Sequence, residues 1–111
     1  MNVETLPTKK TRYTQDEAFE AALNYFKNDD LAARVWLNKY ALKDSEGHIY
    51  ELTPDDMHSR IAKEIARVEA RYPNPMSERE VFDLIKDFKY IVPQGSPMAG
   101  IGIQFLLFVI F

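Results

Sequence analysis

Apolar residues recur at helical spacing in four blocks, with polar or proline-bearing breaks between them. In the first, Ala18, Phe19, Ala22, Leu23 and Phe26 fall on one face behind a Thr14–Glu17 capping box, which predicts a helix over 14–27. Asn28 and Asp29 stop that helix. Leu31, Ala32, Val35, Trp36 and Tyr40 then predict a second one with Arg34 and Lys39 toward water, the two packing as a hairpin. Asp44-Ser45-Glu46-Gly47 is turn chemistry, and His48 to Leu52 reads as a brief strand. The clearest start in the chain follows: a Thr53 cap, Pro54 at the first helical position, and Asp55 and Asp56 against the positive end of the helix dipole. Met57, Ile61, Ile65, Val68 and Tyr72 form one predicted buried stripe. Arg60 is assigned to the opposite, wet face, paired with Glu64 for roughly 0.2–0.5 kcal/mol. Pro73-Asn74-Pro75 ends this helix, and a Ser77–Glu80 capping box opens a fourth carrying Val81, Leu84, Ile85 and Phe88.

Beyond the fourth block the pattern changes. In FKYIVPQGSPMAGIG, residues 88–102, Lys89 to Val92 have strand-type composition and Pro93 bars further pairing. Three of the four glycines, Gly95, Gly100 and Gly102, then cluster around Ser96. This is either an ordinary surface loop or a turn that brings backbone amides close to a ligand. Residues 1–12 carry Pro7 and a basic cluster without any period and read as a flexible arm.

Composition narrows the classes. With 46% hydrophobic and 28% charged residues the chain is foldable, and its length suits one small domain or part of a larger one. The net charge of −3, with Lys and Arg interleaved among Asp and Glu, argues against nucleic acid as a partner. The absence of cysteine removes disulfides, thiolate metal sites and thiol redox chemistry from these residues. No signal-like apolar core opens the chain, so a cytoplasmic location is expected.

Side chains of chemical interest are mostly explained structurally. His48 and His58 lack metal-binding spacing, and His58 reads as a partly exposed structural histidine at the edge of the stripe. Asp55 and Asp56 are placed to complement the dipole rather than to act as an acid and base pair. Phe19, Phe26, Trp36 and Tyr40 have core spacing. Ser96 has no base nearby in sequence, so it is no nucleophile, but it suits donation to a bound anion. No catalytic or metal-ligating residue is expected.

Residues 33–75, ARVWLNKYALKDSEGHIYELTPDDMHSRIAKEIARVEARYPNP, together with FKYIVPQGSPMAGIG, resemble the N-terminal helical region of ribonucleotide reductase catalytic subunits. The likeness is closest to the adenosylcobalamin-dependent, class II ribonucleoside-diphosphate reductases. It spans about residues 12–102. It implies a mainly α fold of four helices with one or two short strands, leading into an α/β barrel. It also implies that the loop at Gln94 to Gly100 lies beside the ribonucleotide substrate, with Ser96 foremost and Gly95 and Pro97 beside it at the phosphate end. The family's chemistry is radical reduction through a cofactor-generated cysteine radical and a cysteine pair. None of those cysteines is here, so the resemblance implies a fragment that is inactive alone and binds no adenosylcobalamin itself.

The division that follows is an arm at 1–12, the helical region and first barrel strand and loop at 13–102, and a non-family tail at 103–111. In that tail eight of nine residues are apolar. It is too short for the roughly 20 residues of a membrane span. The expected cause is an interrupted reading frame or split gene near Gly102, with the downstream remainder of the enzyme as a partner. The rival reading is a small helical interaction module docking through its apolar C-terminus. No nucleotide-binding cone is expected ahead of the helices.

Overall fold

The computed structural model describes residues 12–102. Five helices account for most of it: α1 (Gln15–Tyr25), α2 (Asp30–Lys39), α3 (Pro54–Glu69), α4 (Glu78–Ile85) and a short α5 (Gly95–Gly100). The mainly α expectation holds. The first four match the four predicted blocks, while the fifth forms where a loop was expected. The predicted arm and tail lie outside the described residues, apart from Arg12.

Local chemistry explains each start. Both predicted capping boxes form. Thr14 and Ser77 each accept from the amide three residues on, at 3.2 and 3.1 Å, and Glu17 and Glu80 return the bond to the cap amide at 2.9 Å. At α3 the expected side-chain cap is not made: Thr53 occupies the cap position without a side-chain bond, and Asp56 accepts from the Leu52 amide at 2.8 Å instead. Pro54 brings no amide to be satisfied there.

α1 packs on α2 as a hairpin and α3 packs on α4. The hairpin turns through Lys27 and Asn28, both at positive φ, before Asp29 caps α2. Fully buried Ala18, Ala22 and Ala33 permit close approach, and Trp36 donates from its indole to the Met57 sulfur at 3.4 Å, tying hairpin to α3. Met57, Ile61, Val81 and Ile85 complete this core with Ile49.

The predicted strand at His48 to Leu52 contracts to Ile49, which pairs singly with Tyr13 on one side and Lys43 on the other. The predicted strand at Lys89 to Val92 does not form. Tyr90, Ile91 and Val92 are 68%, 49% and 58% exposed, and no neighbouring strand among the described residues meets them. Strand propensity needs a pairing edge, and the described helices supply none.

The α3 stripe is also shorter than expected. Met57 and Ile61 are buried, but Val68 is 37% and Tyr72 60% exposed. At 16 residues α3 outruns α1, α2 and α4, which have 11, 10 and 8, so its last turns have less to pack against.

Candidate functional site

The segment singled out by sequence, Gln94 to Gly100, is α5 with its cap. Gly95, Ser96 and Pro97 form its first turn, and Gln94 caps it without a side-chain bond. The open glycine turn is thus drawn into a helix, in which Met98 donates to the Gln94 carbonyl and Ile101 to that of Pro97. Gly95 faces the Tyr40 ring, and a Cβ there would sit 3.4 Å from it, in ordinary contact. The Ser96 side chain lies outside what is described.

Arg60 holds this segment. Its Nη1 donates to the Ile101 carbonyl at 2.6 Å and its Nη2 to that of Met98 at 2.7 Å, while Nε donates to Glu51 Oε2 at 2.9 Å. Glu51 Oε1 accepts from the Leu42 amide at 3.0 Å. The side chains of Arg60 and Glu51 are only 7% and 3% exposed. One buried ion pair therefore links the exit of α2, the loop before α3, α3 itself and the end of α5.

This corrects the assignment of Arg60 to a wet face with Glu64. Glu64 pairs with Arg67 instead. The signal was present in the sequence: alternation places Glu51 on the same side as Ile49, and Arg60 lies three residues from Met57, on the flank of the stripe. A carboxylate and a guanidinium both turned inward need each other.

Gly102 completes the junction. Its φ of +87° is a left-handed conformation, and a Cβ on it would approach Arg60 Cγ to 3.0 Å. Glycine meets both demands at once.

His58 is fully buried, not partly exposed as expected. Neither ring nitrogen has a hydrogen-bond partner among the described residues, and the ring lies edge-on to Phe88 at 4.8 Å between centroids. Burial pushes its pKa down, with nearby Asp87 opposing and Arg60 adding to the depression. Asp87 and Phe88 both take positive φ, 57° and 55°, pinned by a Tyr25 hydroxyl bond to Asp87 at 3.2 Å and by Phe88 stacking on Phe26. Burial, then Asp87 and Asp55, raises the Tyr25 hydroxyl pKa. Burial raises Asp55 as well, with Asp87 and Asp56 contributing.

Asp44, Glu46 and His48 bring potential metal-binding atoms within 4.8 Å of one another, a juxtaposition not expected from histidine spacing. Their chemistry is that of a turn. Burial alone would raise Asp44, but it is outweighed by bonds from the His48 amide, the Tyr50 hydroxyl, the Glu46 amide and the His48 ring, and the carboxyl falls to about 2.

Two surface clefts lie away from this segment. One cleft of about 360 Å³ is lined by Ser59, Glu78, Arg79 and Phe82, and another of about 340 Å³ runs between α1 and Leu52. Neither includes Gly95 or Pro97. No helix among the described residues is long and apolar enough to cross a membrane.

Among known proteins, neither the curated sequences nor the solved structures yield a match. The family model described as ribonucleotide reductase, all-alpha domain, matches residues 26–101. That range takes in α2, α3, α4, α5 and the Glu51–Arg60 pair. With more than half its length matched, the chain belongs to the ribonucleotide reductase all-alpha domain family, the N-terminal region of that enzyme's large subunit.

Proposed function

We propose that this chain is the N-terminal piece of a cytoplasmic ribonucleoside-diphosphate reductase, of the adenosylcobalamin-dependent type, which makes deoxyribonucleotides for DNA synthesis. In the complete enzyme it presents Ser96, with Gly95 and Pro97, to the phosphate end of the ribonucleotide. The observation that carries this reading is the family match, which continues through the whole of α5. The serine hydroxyl is a donor suited to an oxyanion.

Adenosylcobalamin supplies a radical when bound, but the residues here do not fit it. The chain has no cysteine to receive that radical, and the two clefts described are far smaller than a corrinoid. No step of the reduction is assigned to this chain. Its own contribution is to bind and orient: α5 holds Gly95 to Pro97 consecutively, and Arg60 holds α5.

The purified chain, given cytidine diphosphate, adenosylcobalamin and a dithiol, is expected to form no deoxycytidine diphosphate. Product formation by the chain alone contradicts the proposal. Titration with cytidine diphosphate is expected to shift the amide resonances of Gly95 and Ser96. Shifts confined to the cleft at Ser59 and Phe82 would move the site elsewhere.

A further inference from the structure

The geometry points to Arg60, oriented by Glu51, as the positioning residue for the Gly95–Pro97 segment. We propose that this pair, rather than side-chain packing, sets where that segment lies. The inference rests on the reading of Gly95 to Pro97 as the phosphate-facing residues.

A six-residue helix is too short to persist by itself. Among the described side chains of α5 only Met98 is buried, and its cap makes no side-chain bond. Apart from the partly buried Ile101 side chain against the core, what holds the segment is the guanidinium, whose two Nη atoms grip the carbonyls of Met98 and Ile101. Its third contact, Nε to Glu51, orients the planar fork, and Glu51 is itself fixed by the Leu42 amide. The segment's position is thus transmitted from the exit of α2, through two buried charges, to the main chain just beyond Pro97. Gly102 leaves room for the Arg60 stem to pass.

Arg60→Lys tests this in the full 111-residue chain, because lysine keeps a charge beside Glu51 and loses the fork. Amide hydrogen exchange at Met98 and Ile101 is expected to quicken about tenfold, with the amides of α1 and α4 changing far less. Affinity for inorganic pyrophosphate, read from the Gly95 and Ser96 amide resonances, is expected to weaken about tenfold as well. Gly102→Ala, which disturbs the same junction and leaves both charges in place, is expected to show the same exchange pattern and serves if the lysine variant does not fold.

Exchange that rises equally in every helix, or does not rise in α5, overturns the inference. So does an α5 that loosens without loss of pyrophosphate affinity. A wild-type chain that binds no pyrophosphate instead overturns the phosphate reading, while the exchange contrast still decides whether Arg60 anchors α5.

Discussion

His58 and Arg60 sit two residues apart on α3, both out of water, and the chain treats them in opposite ways. Every donor direction that Arg60 uses ends on an acceptor: Glu51, Met98 or Ile101. His58 lies edge-on to Phe88, and among the described residues neither of its nitrogens has a partner. A buried cation must be paired, because its desolvation is large and it cannot shed its charge. A histidine has another way out: it stays neutral, and the environment lowers its pKa to match. Two buried polar groups on one helix therefore fail under different insults, one when a partner is removed and the other when acid is added.

Removing the partner is the strongest way to break the contrast. Arg60→Met leaves Glu51 buried and unpaired, and is expected to cost about 3–5 kcal/mol in urea unfolding. The double variant Glu51→Met with Arg60→Met should recover much of that, since the second uncompensated charge is gone. A single variant that loses less than about 1 kcal/mol, the scale of an exposed pair, would show that the bridge behaves as a surface contact.

Gly102→Ala comes next. It forces a left-handed residue and a close contact with the Arg60 stem, for an expected loss of about 1–2 kcal/mol. An unchanged unfolding midpoint would mean that the junction relaxes freely.

His58→Leu should be the smallest at neutral pH, within about 1 kcal/mol of wild type and of either sign, because no hydrogen bond is lost. Its effect appears on acidification. With a folded-state pKa below the ordinary 6.5, neutral His58 contributes fully above that pH. The contribution drains away as pH falls from there toward the depressed value, since the unfolded chain takes up the proton first. Urea midpoints measured from pH 7.5 to 5 should fall less steeply in His58→Leu than in wild type. Equal slopes would assign the acid sensitivity to other groups. Asp44 acts in a lower window: with its carboxyl drawn down from 3.8 to about 2, its turn contributes fully above the ordinary carboxylate value and loses that contribution as pH falls from there toward 2.

Much of this architecture was legible from local rules. Thr14 with Glu17 and Ser77 with Glu80 announce helix starts because capping is settled by residues three apart. Asp44 to Gly47 makes its turn for the same reason, with Gly47 at positive φ. What escaped depends on partners distant in sequence. Arg60 meets carbonyls 38 and 41 residues away, and nothing in the run around it marks that end of the contact. The strand expected at Lys89 to Val92 failed for the converse reason: its composition invites pairing, and no neighbour among the described residues arrives. Of the candidate site, the order Gly95, Ser96, Pro97 was visible, but its helical form and its anchorage were not.

The anchor itself has an implication for tolerance to change. Arg60 takes hold of peptide oxygens, which all residues possess, so the grip recognises a place along the chain and ignores what is attached there. Residue 101 is interchangeable as far as that grip is concerned, whereas its neighbour Gly102 is specified by what it lacks. A library randomised across positions 98–102 would accordingly lose diversity at 102 first, then at 98 where the side chain is buried.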